Sequence, residues 1–237
     1  MPDASPKVLG ILGGLGPMAT VYFYELLCRH TLVACDQDHI DVIINSRAST
    51  PDRTRFILGE GTENPFDIMA ADAQRLVTFG ADILAIPCNT AHYFYQRLED
   101  CVSVPILNMP ALTVQTARES GAKKVGILAT SGTVLTQTYQ RECAKQGIAC
   151  AVPNAAHQQD IMDIIYQQIK AGQPADMQRF FAAATALEAE GCERIILGCT
   201  ELSLLRKEAH LNSLYLDSME ALAKAAILAF GKTPVGL

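Results

Sequence analysis

The stretch GADILAIPCNTAH, residues 80–92, is repeated in outline by GCERIILGCTELS, residues 191–203. In ungapped register the two stretches place Cys88 on Cys199, an offset of 111 residues from 88 to 199. Each has a glycine, a polar step, an apolar run of strand length, and then a cysteine followed by small polar residues. The chain therefore contains a doubled unit in which a predicted strand ends at a cysteine.

Two further pairs of segments extend the repeat. VLGILGGLGP (8–17) aligns with VGILATSGT (125–133), so that Gly10 falls on Gly126 at an offset of 116 residues. VPILNMPALTVQTA, from residue 104, aligns with SLYLDSMEALAKAA, from residue 213. A unit of about 110 residues is too long for a solenoid repeat and has the size of a small domain. We expect two similar lobes that face each other.

Short apolar runs alternate with segments of helical periodicity. Strands are predicted at 8–12, 41–45, 83–87 and 104–108, and again at 125–129, 148–152, 195–198 and 214–216. Helices are predicted at 19–28, 65–79 and 218–230. Continuous apolar strands separated by helices are typical of parallel sheets covered on both faces. The predicted fold class is α/β: two pseudo-symmetric lobes, each a parallel sheet flanked by helices, with the active site in the cleft between them.

The repeat also gives the domain division, because no Gly/Ser-rich linker separates the halves. Residues 1–111 and 215–237 are assigned to the N-terminal lobe, since the last helix is expected to return to it. Residues 112–214 form the C-terminal lobe.

Composition limits the classes of ligand. The 237 residues are 49% apolar and have a net charge of −6, so there is no basic footprint for nucleic acid or an anionic membrane. The N-terminal segment MPDASPK lacks the apolar core of a signal peptide, and no apolar run is long enough to cross a bilayer. We expect a cytoplasmic protein with a small-molecule ligand.

The eight cysteines are expected to be reduced in that compartment. None has Cys-x-x-Cys spacing, and the five histidines are scattered, so no metal site is predicted. Six of the cysteines are interpreted as small apolar core residues; they are Cys28, Cys35, Cys101, Cys143, Cys150 and Cys192.

Cys88 and Cys199 differ from the others because each ends a predicted strand just before a helix. Ligands of parallel sheets bind at the carboxyl ends of the strands, and the start of a helix lowers the pKa of a thiol. Two thiols on opposite sides of a substrate carbon can remove and deliver a proton, which inverts a stereocentre. The structural alternative is that both are simply buried at strand ends.

Five motifs together resemble the aspartate/glutamate racemase superfamily, and most closely the cofactor-independent aspartate racemases. They are ILGGLGP (11–17), PDRT (51–54), PCNTAH (87–92), LATSGT (128–133) and GCTEL (198–202). The resemblance implies racemisation of L- and D-aspartate without pyridoxal phosphate or another cofactor. It also implies that Cys88 and Cys199 are the two acid/base residues and that the protein is a homodimer, for which the helix faces at 22–27 or 221–229 are candidate interfaces.

The resemblance further implies a set of substrate contacts. The residues that follow the cysteines would hold the amino and α-carboxylate groups; they are Asn89, Thr90, Ala91, Thr200 and Glu201. Thr130 and Ser131 would border the site. Arg53 and Lys170, with Tyr166 one helical turn before Lys170, would bind the distal carboxylate. Arg53 is otherwise expected to cap a loop, and Lys170 to be solvated. Arg47 is a further cation nearby, in a segment one residue longer than the family pattern.

Other functions are weighed against this one. GLGPMA (14–19) matches a dinucleotide-binding fingerprint, but the second strand ends in Asn45 and Ser46 where an acidic residue is expected. A non-catalytic two-lobed amino-acid-binding protein has no use for two opposed thiols. Among enzymes, glutamate or broad-specificity amino-acid racemases are the nearest alternatives, and hydantoin racemases, maleate isomerases and arylmalonate decarboxylases share the cysteine pattern. PDRT with Tyr166 and Lys170 favours aspartate.

Overall fold

The computed structural model describes residues 7–237, so most of the polar N-terminal segment, 1–6, lies outside the described residues. The first parallel sheet has the strand order β2-β1-β3-β4. Its strands are β1 (Val8–Gly13), β2 (Asp41–Ser46), β3 (Ile83–Ala85) and β4 (Ile106–Leu107). The helices of this half are α1 (Pro17–His30), α2 (Arg53–Ile57), α3 (Pro65–Thr78), α4 (Tyr95–Glu99) and α5 (Met109–Glu119).

The second sheet repeats the first, with the order β6-β5-β7-β8. Its strands are β5 (Lys124–Ala129), β6 (Ala149–Ala151), β7 (Arg194–Gly198) and β8 (Tyr215–Asp217). The helices in the second half of the chain are α6 (Ser131–Leu135), α7 (Thr138–Gln146), α8 (Ala155–Asp163), α9 (Met177–Ala189), α10 (Thr200–Ala209) and α11 (Ser218–Ala229). The predicted α/β class with two similar lobes is confirmed, and all eight predicted strands are present with shifted ends.

A repeated glycine has the same structural role in both sheets. Gly10 lies opposite Leu84 in the pairing of β1 with β3, and Gly126 lies opposite Ile195 in the pairing of β5 with β7. A Cβ at Gly10 would be 2.5 Å from Leu84 Cδ2, and a Cβ at Gly126 would be 2.7 Å from Ile195 Cδ1. The neighbouring helix also comes close, since Leu187 Cδ1 of α9 would be 2.9 Å from the added Cβ at Gly126. Any larger residue at either position would therefore overpack the core.

Asn, Asp and Pro residues mark the starts of several helices. The Asn64 side chain accepts a hydrogen bond from the Phe66 amide, with Pro65 as the first residue of α3. Asn108 caps α5 and Asp217 caps α11 in the same way. These caps satisfy amides that have no partner within the helix, and proline loses nothing at such a position.

The last helix crosses back to the first lobe. Met219, Leu222 and Ile227 of α11 are buried in one cluster with Phe23 and Leu27 of α1. Strand β8, however, pairs with β7 of the second sheet, whereas the sequence-based division assigned residues 215–237 to the first lobe. We propose that the boundary between the lobes falls between β8 and α11.

The two helix faces suggested as dimer interfaces are used inside the chain. Tyr22, Leu26 and Leu27 of α1 pack with the buried face of α11, so these faces are not free for a partner. The apolar side chains that α1 exposes are Met18, Val21 and Tyr24. Within residues 7–237, no helix combines the length and apolar composition needed to span a bilayer.

Candidate active site

Cys88 and Cys199 lie at equivalent ends of the two sheets. Cys88 follows β3 and Cys199 follows β7, the strands that occupy the same place in the two strand orders. The two residues are 6% and 5% exposed, and both line one narrow pocket that is partly open to solvent. Cys199 is the N-cap of α10, whereas Cys88 precedes only a 3₁₀-helical turn, Thr90–Phe94. The helix expected directly after each cysteine is thus an α-helix in one lobe only.

Most of the predicted site residues meet in this pocket. Besides the cysteines, it is lined by Arg53, Asn89, Thr90, Thr130, Tyr166, Lys170, Thr200 and Glu201. Two predicted residues do not line it. The Ala91 methyl group is buried in the core of the first lobe, and the Ser131 side chain lies near Gln158 Nε2 at 3.4 Å.

Three lining residues were not predicted: Leu15, Asp52 and Thr54. Leu15 belongs to the motif ILGGLGP, and Asp52 and Thr54 flank Arg53 in PDRT. Because a short helix begins at Arg53, the chain turns there and brings several consecutive side chains to the cleft. For Asp52 and Thr54, proximity to Arg53 in the sequence was the available signal; for Leu15 it was membership of ILGGLGP.

Arg53 is fixed by backbone carbonyls. Its Nη2 donates to Leu15 O at 2.5 Å, and its Nη1 donates to Pro51 O at 3.0 Å and to Thr50 O at 3.3 Å. Among the described residues none accepts a hydrogen bond from the buried Nε. Burial lowers the pKa of this guanidinium, but the neighbouring Cys88 and Asp52 charges outweigh it and raise the pKa. Arg53 is therefore a rigid cation beside Cys88.

Lys170, Glu201 and Cys199 form a chain of polar contacts on the other wall. Lys170 Nζ is 2.7 Å from Glu201 Oε1, and Cys199 Sγ donates to Glu201 Oε2 at 2.9 Å. Burial favours the neutral acid at Glu201, but Lys170 and the thiol hydrogen bond dominate and lower the pKa of the carboxyl group. Burial lowers the pKa of Lys170, but the Glu201 charge outweighs this effect and raises the pKa, so Lys170 keeps its charge.

The predicted low pKa of Cys199 is wrong for the ligand-free site. Burial raises the pKa of the thiol well above its ordinary value, and the Glu201 carboxylate raises it further, while Lys170 opposes the shift. The α10 N-terminus is present as predicted. Desolvation and a carboxylate in hydrogen-bond contact outweigh this dipole.

Tyr166 connects the two lobes across the cleft. It lies in a π-helical turn, Ile164–Gln168, at the end of α8, and its hydroxyl donates to Asp52 Oδ2 at 3.1 Å. Lys170 Nζ is 5.4 Å from the Tyr166 ring centroid. Such π-turns often occur at functional sites, and here the turn directs Tyr166 and Lys170 toward the first lobe.

The floor of the cleft consists of buried hydrogen bonds between the lobes. The hydroxyls of Thr90, Thr130 and Thr133 lie 2.9–3.1 Å apart in a triangle. Asn89 accepts from Tyr139 Oη at 2.5 Å and donates to Ser218 Oγ at 2.9 Å. Because both ends of the Asn89 amide are engaged, its side chain positions the Cys88 segment.

Two features of the sequence have structural explanations outside the site chemistry. The Gly14 turn of the dinucleotide fingerprint is occupied by the chain itself, since a Cβ at Gly14 would be 2.2 Å from the backbone nitrogen of Arg47. The Arg47 side chain is held by the buried Asp72, with Nη2 donating to Oδ1 at 2.8 Å. Arg47 therefore braces the first lobe and does not line the pocket.

Comparison with known proteins agrees with this geometry. The model of the family Asp/Glu/Hydantoin racemase matches residues 12–226. The aspartate racemase of Picrophilus torridus superposes with a TM-score of 0.80 at 29% identity, over 96% of each chain. An aspartate racemase homologue from Pyrococcus horikoshii gives 0.77 at 26% identity, over 96% of this chain and 100% of that one. The broad specificity amino-acid racemase RacX of Bacillus subtilis is 29% identical over 93% of this chain and 96% of its own length.

Proposed function

The chain belongs to the Asp/Glu/hydantoin racemase family, and on that basis we propose that it interconverts L-aspartate and D-aspartate by a two-base mechanism, without pyridoxal phosphate. Cys88 and Cys199 act on opposite faces of the substrate Cα. The observation that supports this assignment is that two thiols from equivalent strand ends of the two lobes line one pocket. Six other cysteines share the chain and none of them lines it.

The reaction is one proton removal and one proton delivery. One sulfur, as thiolate, takes the α-hydrogen while the other, as thiol, donates its proton to the opposite face. Negative charge develops on the α-carboxylate during the transfer, so hydrogen-bond donors fixed before substrate binds stabilise it most effectively. The hydroxyls of Thr90, Thr130 and Thr200 and the amides at the start of α10 are the candidates for this role.

The charged residues suggest how an acidic amino acid is oriented. The Arg53 guanidinium and the Lys170 ammonium are the cationic groups that line the pocket, and they are suited to the distal carboxylate. The Glu201 and Asp52 carboxylates, both lining the same pocket, are suited to the substrate ammonium group. Tyr166 lies between Asp52 and Lys170 and would separate the two kinds of contact.

A broader substrate range is the second candidate. It is favoured because Lys170 is already paired with Glu201 and the Arg53 Nη groups are already bound to carbonyls. A dicarboxylate then gains less from these cations than from free ones, and a relative is a broad specificity racemase. Glutamate differs from aspartate by one methylene, which a pocket distinguishes by only about 1–3 kcal/mol.

The test is racemisation of a panel of amino acids by the purified protein, with reductant and without added cofactor. Both enantiomers of aspartate, glutamate, alanine and lysine are assayed by chiral chromatography. We expect aspartate to react fastest and both Cys88→Ser and Cys199→Ser to lose activity. Cys192→Ser is the matched control, because Cys192 is also 5% exposed but does not line the pocket.

The outcomes separate the candidates. Comparable racemisation rates for all substrates would show that the enzyme has broad specificity and is not specific for aspartate. Binding of an amino acid without any racemisation would favour the two-lobed binding protein. We also propose that the enzyme acts in the cytoplasm and that it is a homodimer. Sedimentation of the purified protein tests the oligomeric state.

A further inference from the structure

The two thiols of the site have opposite electrostatic surroundings. Cys199 is in contact with the Glu201 carboxylate, and Cys88 lies next to the Arg53 guanidinium. We propose that Glu201 is a positioning residue that keeps Cys199 protonated in the ligand-free enzyme, so that Cys199 begins as the proton donor and Cys88 begins as the base. The order of proton transfers in this proposal rests on the proposed function, whereas the protonation state of Cys199 can be tested without substrate.

The contact between the Cys199 sulfur and the Glu201 carboxylate determines where the proton lies. The 2.9 Å distance between Cys199 Sγ and Glu201 Oε2 requires one shared proton, since a thiolate and a carboxylate would repel each other. Glu201 is ionised because Lys170 Nζ is 2.7 Å from its other oxygen. The proton therefore belongs to the sulfur. Glu201 is 6% exposed, so little water screens this interaction.

Cys88 has no equivalent carboxylate in contact among the described residues. Arg53 lines the same pocket as Cys88, is 8% exposed and is held by three carbonyls. A fixed cation stabilises a thiolate beside it. The two sulfurs therefore lie at equivalent positions of the repeated fold, but the charged residues around them differ.

The asymmetry assigns an order to the proton transfers. Cys88 thiolate breaks the Cα–H bond and becomes a thiol, and the electron pair passes into the α-carboxylate system. Cys199 then gives its proton to the opposite face of Cα and becomes a thiolate next to Glu201. The substrate ammonium and Lys170 are the cations available to offset that new charge, and exchange with water restores the starting state.

Steady-state efficiency cannot reveal this difference. The two enantiomers have equal free energy, so kcat/KM must be the same in both directions for any distribution of protons. Chemical modification can reveal it, because the thiolate is the nucleophile. Cys88 and Cys199 are 6% and 5% exposed, so they are matched in accessibility.

The experiment is pulse alkylation of the ligand-free protein with iodoacetamide between pH 6 and pH 10, with initial rates at each cysteine measured by peptide mass spectrometry. At a pH below both pKa values, the thiol whose pKa is one unit lower has about ten times more thiolate. Its thiolate is a weaker nucleophile, so its alkylation is only about threefold faster. Because burial and the Glu201 carboxylate raise the pKa of Cys199, we expect Cys199 to be alkylated at least about threefold more slowly than Cys88 at pH 8.

Two variants should move the pH profile of Cys199 in opposite directions. Glu201→Gln removes the carboxylate and should shift the midpoint of Cys199 alkylation to lower pH. Lys170→Met removes the opposing cation and should shift it to higher pH. Glu220→Gln is the matched control, because Glu220 pairs with Arg206 at 3.0 Å outside the pocket and should leave the profile unchanged.

Either of two results would overturn the proposal: equal or faster alkylation of Cys199 in the wild type, or an unchanged Cys199 profile in folded Glu201→Gln. If Glu201→Gln does not fold, the wild-type rates and Lys170→Met still decide. Failure of the proposed function has a different signature. An asymmetric profile without racemisation of any amino acid would leave the thiol assignment intact and refute the enzymatic role.

Discussion

Gly126→Ala tests whether the repeated glycine is a packing requirement of the doubled fold. The added methyl group would lie 2.7 Å from Ile195 Cδ1, 2.9 Å from Leu187 Cδ1 and 3.0 Å from Leu187 Cβ. All three atoms are in buried side chains with 0% exposure, so they can shift only by leaving favourable rotamers. Overpacking of this kind costs about 1–3 kcal/mol. Gly10→Ala should have a similar effect in the first lobe, where the nearest atom would be at 2.5 Å.

The assay is urea unfolding followed by circular dichroism, supported by thermal unfolding. For a chain of this size, a loss of 1–3 kcal/mol corresponds to a decrease in Tm of roughly 2–4 °C per kcal/mol. Gly61→Ala is the control, because the nearest atom to its added Cβ is 3.7 Å away, and a change of no more than about 0.5 kcal/mol is expected there. A free energy of unfolding for Gly126→Ala within about 0.5 kcal/mol of the wild-type value would show that the glycine is not a packing requirement.

Three other perturbations test the site and its support. Tyr166→Phe removes the hydroxyl that donates to Asp52 at 3.1 Å across the cleft and holds the carboxylate proposed to bind the substrate ammonium group. We expect KM for aspartate to rise about tenfold, which corresponds to the loss of one hydrogen bond to a charged group. An increase below twofold would contradict this. Tyr139→Phe leaves the buried Asn89 oxygen without its 2.5 Å donor and should lower the free energy of unfolding by about 1–3 kcal/mol, with loss of activity; an unchanged urea midpoint would oppose it. Burial raises the pKa of Asp217 from 3.8 to about 6. The unfolded chain therefore ionises at lower pH than the folded protein does. The free energy of unfolding should fall by up to about 3 kcal/mol as the pH rises from about 4 to about 6. Asp217→Asn should flatten that part of the pH profile of urea unfolding, and a profile identical to the wild type would exclude this source.

Much of the fold was predictable because it follows from local patterns that occur twice. The offsets of 111 and 116 residues seen in the sequence place Gly10 and Gly126, and the strands that pair with them, in the same register. The end of the second lobe was harder to predict. Residues 215–217 form a strand of the second sheet, while the helix directly after them packs on the first lobe. Strand β8 and helix α11 are both mainly apolar, so their amino-acid composition does not show that they pack on different lobes.

The site shows a similar limit. The positions of Cys88 and Cys199 followed from the ends of the predicted strands, but Ala91 in the 3₁₀-helical turn faces the core. The contact of Lys170 with Glu201 joins residues 31 positions apart and depends on the irregular turns after α8. Sequence therefore predicted a helix dipole at Cys199 but not the carboxylate that opposes it.

The most direct test of the two-base mechanism is deuterium incorporation at the α-carbon at low conversion. L-aspartate and D-aspartate are incubated separately with the enzyme in D₂O, and mass spectrometry after chiral separation gives the deuterium content of product and of remaining substrate. If one thiol removes the proton and a different, solvent-exchanged thiol delivers the other, the product should be deuterated and the remaining substrate should not. Equal deuteration of product and remaining substrate, or product that retains its original hydrogen, would contradict the account.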